Sequence, residues 1–381
     1  VGLLMLAAAG LLTGLYSGLV RLGLLTSGSP AVSPIAHGPL MINGFLGTLI
    51  GLERAAALEK KWAYAAPILM ATSNILLLIG MSIPSNWALI LGSVGLTFIM
   101  GYFYYLQPKI YHLIMALGAA SLLAGNLLFI IGYPIHELVA WWAAFPMLTI
   151  FGERLELNRI MRPPKRAQYI FTVFIVGWIA ALSLTHFERA IGWRIASFSL
   201  IGIAGWLIKY DVARRTIKSV EWTKYSAICL LTGYGWLILS GLFGLWQGFP
   251  TAGPIYDGLL HMIFVGFVFS MIFAHASVII LSLSGKLIPW HRYFYLPLIF
   301  LHLFLLIRII GDIAMYPIIR QIGSYGNVAA ILLFLGGIIF QLLKTTWIKK
   351  SERKSIQINN INYTLISLCL LKKHLHNGTE I

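Results

Sequence analysis

The sequence predicts an all-α, polytopic membrane bundle of about twelve transmembrane helices, built as three pseudo-repeats of four. Three observations predict it. Hydrophobic residues make up 59% of the chain and charged residues only 10%, with a mean hydropathy of +0.84. A soluble domain does not carry so much apolar surface with so little charge. The chain also divides into apolar stretches close to the ~20 residues that a helix needs to cross a bilayer. Finally, one pattern returns in every fourth stretch. Gly44-Phe45 is followed, eight residues on, by Glu53-Arg54; Ala144-Phe145 by Glu153-Arg154; and Gly266-Phe267 by His275. A histidine stands six to nine residues before each phenylalanine, at His37, His136 and His261. The marker places a histidine on the equivalent, central helix of each unit.

Taken in order, the first six spans read as Leu3–Leu25, Ile35–Leu52, Ala63–Ile83, Trp87–Leu106, Tyr111–Ile131 and Leu138–Gly152. The second six read as Tyr169–Leu184, Ala190–Ile208, Tyr225–Trp246, Ile255–Leu283, Tyr293–Ile310 and Val328–Leu343. The first is read as a helix rather than a signal peptide, which would be shorter and led by basic residues. Residues 1–347 form the membrane domain, and 348–381 a basic, polar cytoplasmic tail. Within that tail Ile361–Leu371 is too short to span.

A formal net charge of +16 invites a nucleic-acid reading, but its distribution argues for topology. Twenty-three of the 28 Lys and Arg residues lie in the even-to-odd connections or after the last span, as in Arg159–Arg166, Lys209–Lys224 and Lys344–Lys354. The exceptions are Arg21, Arg189, Arg194, Arg308 and Arg320. By the positive-inside rule both termini are cytoplasmic, in a bacterial-type inner membrane. The basic faces would also attract anionic lipid head groups. Cys229 and Cys369 build no disulfide framework, and the absence of Cys-x-x-Cys-His excludes covalent haem attachment. Nucleotide-binding and metalloprotease spacings are absent as well.

The alternation of direction assigns each histidine to a depth. His37 and His261 lie near the outer ends of the second and tenth spans, with His136 and His186 on the same side. His112, His275 and His291 lie nearer the inner face, and His302 near mid-membrane. Imidazoles are costly in a bilayer and take a partner or a ligand. Two neutral imidazoles at equal depth meet the needs of a six-coordinate haem b. The alternative is that both bond to backbone carbonyls or to head-group water. Arg308, at the same face, would hold a haem propionate, or else form an i,i+4 pair with Asp312. Asp257, four residues before His261, would orient the imidazole or face solvent. Met41, four residues after His37, would line the pocket; Met262 and Met271 read as core. His275 lies fourteen residues beyond His261, about 21 Å along a helix. It therefore belongs to a second site or is a packed polar residue. Glu53-Arg54 and Glu153-Arg154 read as snorkelling, locally paired helix ends, with proton uptake as the sharper alternative. Gly14-x-x-x-Gly18 and Gly47-x-x-x-Gly51 read as helix contacts.

The stretches His37-Gly-Pro-Leu-Met41-Ile-Asn-Gly44-Phe45 and Leu260-His261-Met-Ile-Phe-Val-Gly266-Phe-Val-Phe-Ser-Met271 resemble the NnrS family. These are haem-containing membrane proteins linked to nitric oxide stress and related to the haem–copper oxidase fold. The likeness extends loosely through Gly285-Lys286-Leu287 and Leu306-Ile307-Arg308. It implies a haem held by His37 and His261 and a role in nitric oxide handling, with an electron donor of unknown identity. Pro39 and Leu40 stand where the family has a second His and a Glu, so copper is doubtful. The histidine pairs of the oxidase centre are missing too, which argues against oxygen reduction. A twelve-helix secondary transporter and a membrane subunit that only relays electrons are the alternative readings. A repeat of four helices fits a transporter poorly, because transporters more often repeat in fives and sixes around broken helices.

Overall fold

The computed structural model describes residues 2–26, 33–248 and 250–344. Among them there is no β-strand. The long helices are α1 (Gly2–Arg21), α2 (Pro34–Leu58), α3 (Ala65–Leu78), α4 (Ser82–Leu106), α5 (Ile110–Ile130) and α6 (Ile135–Leu157). They continue as α7 (Lys165–Leu184), α8 (Arg189–Tyr210), α9 (Glu221–Gln247), α10 (Gly253–Ser284), α11 (Tyr295–Ile313) and α12 (Pro317–Lys344). Eleven are long and apolar enough to cross a membrane. The twelfth, α3, has 14 residues and is preceded by a single 3-10 turn at Lys61–Tyr64. The chain is an all-α, multi-pass membrane protein. The tail at 348–381 and Cys369 lie outside the described residues.

Helices α2, α6 and α10 occupy the centre. Of their most apolar windows, 72%, 72% and 61% of residues are buried, against 33–50% in the other candidate spans. Two of these helices run beyond their expected ends. The second span was expected to stop at Leu52 and the sixth at Gly152, in front of the charged pairs. Both continue as helix through those pairs. The physical reason is that the arginines, only 13% exposed at Arg54 and 3% at Arg154, find partners on neighbouring helices. Arg54 of α2 pairs with Glu153 of α6 as well as with its neighbour Glu53. Arg154 donates to His275 of α10 at 2.9 Å. The three marker positions therefore meet across helices, and the expectation of purely local pairing is corrected. Bringing oppositely charged groups together away from water favours one packing arrangement, since leaving either member unpaired is costly.

Close backbone approach does the rest, because lipid gives helices little hydrophobic reason to associate. A Cβ on Gly10 of α1 would come within 2.7 Å of the Gly44 backbone in α2. A buried polar knot ties α2, α4, α5 and α6 together. Asn126 accepts from Trp142 Nε1 at 2.8 Å and donates to Asn43 and Ser93 at 3.0 and 2.9 Å.

The two histidine-bearing helices share a local distortion. Leu40–Gly47 in α2 and Met262–Phe269 in α10 are wound as π-helix, each starting within three residues of its histidine. Such wide turns rotate the residues that follow and recur at functional sites. Phe45 and Phe269, one from each segment, lie with ring centroids 6.0 Å apart.

Candidate functional site

His37 and His261 come together. Their ring centroids are 6.5 Å apart and their planes differ by 9°. Each Nδ1 is within hydrogen-bond reach of a main-chain carbonyl. For His37 this is Gly14 in α1, at 2.8 Å, and for His261 it is Asp257, at 2.6 Å. A carbonyl only accepts, so each Nδ1 carries the proton and each Nε2 keeps a lone pair. Neither Nε2 forms a hydrogen bond among the described residues.

Both rings line one cavity whose walls come from α1, α2, α6, α10, α11 and α12. Its lining is mainly apolar, with Trp142, Phe264 and Ile331 among the walls, and it also includes Arg21, Tyr256, Asp257 and Arg308. Met41 faces the same space, as expected, and packs against α1. A Cβ on Gly14 would come within 2.6 Å of the Met41 sulfur, and one on Gly18 within 2.9 Å of the His37 ring. The first glycine pair is thus a helix contact, and its partner is the histidine segment itself. Gly18→Val is expected to displace the His37 ring and destabilise the protein by about 1–3 kcal/mol, as overpacking does. Thermal unfolding in detergent would measure this. Gly101→Ala, at a helical position with nothing within 4 Å, should not lower the midpoint.

Beside the cavity lies a buried charge cluster. Asp257 pairs with Arg308 at 2.7 Å and with Arg320 at 2.8 Å, while Asp312 pairs with Arg320 at 2.9 Å. Arg308 reaches Asp312 only at 4.0 Å. The i,i+4 alternative for Arg308 is therefore its weakest contact, and its principal partner lies on another helix. The orienting role expected of Asp257 is also corrected. Its carbonyl holds His261, and its carboxylate, 3.8 Å from that ring, is taken by the two arginines.

The remaining histidines lie elsewhere. His275 accepts from Arg154 at Nε2 and donates from Nδ1 to Met271 O at 2.7 Å. Both nitrogens are engaged, which leaves no lone pair for the metal role considered for it. His136, the third marker histidine, lies 3.8 Å from Glu137 and does not line the cavity. His186 accepts from Trp141, and His302 from Trp236. Among the described residues no three His, Cys, Asp or Glu side chains gather to hold a metal ion.

Sequence reasoning missed Arg21, Trp142, Tyr256 and Arg320 as neighbours of this site. A signal for the two arginines was present: both belong to the few basic residues that break the charge asymmetry. Trp142 and Tyr256 carry no such mark.

Fold and site define a class: a multi-pass helical membrane protein with a paired-imidazole cavity near one end of its central helices. More particularly, the chain belongs to the family described as Domain of unknown function (DUF8744), whose model matches residues 1–343. No curated protein and no solved structure matches it.

Proposed function

We propose that this chain is an NnrS-type haem-b membrane protein acting in nitric oxide handling or nitrosative-stress tolerance, and that His37 and His261 would hold the haem. The observation that carries the haem reading is the spacing of the two rings. Two metal–imidazole bonds of about 2 Å, each with about 1 Å from nitrogen to ring centre, put the centroids roughly 6 Å apart. The 6.5 Å seen here agrees, whereas bare rings in face contact would approach to about 3.5–4 Å. The fixed tautomers, with Nδ1 protonated and Nε2 available, agree as well.

Haem, when bound, supplies one-electron redox chemistry and affinity for diatomic gases. The chain's own residues do the rest. The carbonyls of Gly14 and Asp257 set the ring tautomers, Arg21 and Arg308 offer positive charge to carboxylates, and Trp142, Phe264 and Ile331 exclude water. Copper is left out of the proposal because Pro39 and Leu40 occupy the places of the extra ligands. The nitric oxide role rests on the resemblance of the two histidine segments to the NnrS family. Cytoplasmic termini rest on the basic-residue distribution, and a bacterial-type inner membrane is proposed with them.

Electron relay is the second reading, favoured by the pairing itself, since a haem held by both imidazoles would supply electron transfer without gas binding. A reduced-minus-oxidised spectrum of the full chain, purified from haem-replete cells, tests the proposal. One low-spin b-type haem per chain is expected, and haem-free protein would remove the proposal. A spectral change on adding nitric oxide to the reduced protein favours gas chemistry, and an inert spectrum favours relay.

A further inference from the structure

A second cavity lies away from the histidines, and its chemistry is different. Arg162, Lys209, Arg214, Arg215 and Lys218 line an open space of about 990 Å³ between the α6–α7 and α8–α9 connections, together with Pro163, Pro164 and Tyr210. None of these five cations forms a salt bridge with a carboxylate among the described residues. Like charges gathered around one space repel each other, and a bound anion relieves that cost.

The two lips of the cavity are held in place by buried groups. Asn158, fully buried at the end of α6, accepts from Val212 N at 3.2 Å and so ties one lip to the other. Asp211, also fully buried, accepts from Ala213 N at 2.7 Å and from Tyr234 OH at 3.0 Å. Its carboxylate therefore fixes the turn that carries Arg214 and Arg215. On the other lip, Arg162 has a left-handed backbone (φ 48°) ahead of two prolines. The backbone that carries the cations is thus preorganised, which reduces the entropy lost on binding.

The surroundings point to the source of the anion. The cavity sits where α7 begins and α8 ends, at the boundary of two candidate spans. Exposed Ile160, Tyr169, Ile170 and Ile208 belong to the same ends of α6, α7 and α8. Cationic lining next to outward apolar surface suits an amphiphile with a phosphate head group.

We propose that this cavity is a binding site for the phosphate head group of an anionic membrane lipid. The proposal is independent of the haem reading. The full chain, delipidated in neutral detergent, would be titrated with phosphatidylglycerol, phosphatidylcholine or pyrophosphate, with bound lipid counted by native mass spectrometry. Saturable retention of phosphatidylglycerol is expected, with none of phosphatidylcholine and no displacement by pyrophosphate. R214Q/R215Q/K218Q is expected to weaken retention on the order of 100-fold, at about fivefold per charge. K60Q/K61Q/K109Q removes equal charge from other connections and should leave retention unchanged. The single variants R162Q and K218Q, one on each lip, serve if the triple variant does not fold. Each should weaken retention about fivefold. Unchanged retention in these variants, or equal loss in the control, overturns the proposal in favour of diffuse surface charge. Displacement by pyrophosphate overturns it in favour of a soluble phosphate ligand.

Discussion

His261→Ala is expected to yield purified protein without the low-spin b-type spectrum, with haem content lowered at least about tenfold, since even supporting residues of metal sites cost that much. His37→Ala should do the same, because on the proposed reading both rings would hold the haem and no third imidazole among the described residues lines the cavity. Among the other imidazoles His186 accepts from Trp141, His302 accepts from Trp236 and His275 engages both nitrogens, and none of the three lines the cavity. His186→Ala should therefore leave the spectrum as in the unaltered chain. Exogenous imidazole should partly restore the low-spin spectrum in His37→Ala and His261→Ala, as it refills the space that the ring vacated. Rescue of this kind separates lost ligation from lost folding. A wild-type spectrum in either alanine variant would end the proposal that these two histidines hold a haem.

Asp257→Ala is expected to destabilise the protein by about 3–5 kcal/mol, the usual cost of stripping one partner from a buried ionic group. The side chains of Asp257 and Arg308 are only 8% and 7% exposed, and Arg320 shares the same carboxylate oxygen. Removal leaves two guanidinium groups competing for Asp312. Glu156→Ala gives the contrast. Its partner Arg159 is 59% exposed, so that pair should be worth less than about 1 kcal/mol. Thermal or denaturant unfolding of the two variants in one detergent would read the difference. The Asp257 variant keeps the carbonyl that holds His261, so its folded fraction should still bind haem. Equal stability losses in the two variants would show that the cluster is not the structural element argued here.

Much of the architecture was legible in order along the chain. Composition and the length of the apolar runs yielded the twelve helices, and the recurring marker at Phe45, Phe145 and Phe267 picked out the three that sit at the centre. Those signals are local, or periodic at a fixed spacing, so a one-dimensional reading reaches them. The ends of α2 and α6 were misjudged for the opposite reason. Glu53-Arg54 and Glu153-Arg154 look like water-seeking termini until their partners on other helices are known.

The candidate site divides in the same way. The equal depth of His37 and His261 followed from counting spans, because direction alternates with each crossing. Their 6.5 Å separation, nearly parallel planes and carbonyl partners required α1 and α10 to be placed around α2. Asp257 is the clearest case. Its spacing from His261 was visible, but whether its carboxylate or its carbonyl met the ring depended on Arg308 and Arg320 arriving from α11 and α12.

By itself, the sequence determined the class of protein, the succession of long apolar helices and which of them lie innermost, since bilayer thickness and helical rise convert residue counts into geometry. Only the tertiary structure decided which charges pair and which imidazoles meet. Those contacts join residues as far as 224 positions apart, His37 to His261, and no local preference encodes them.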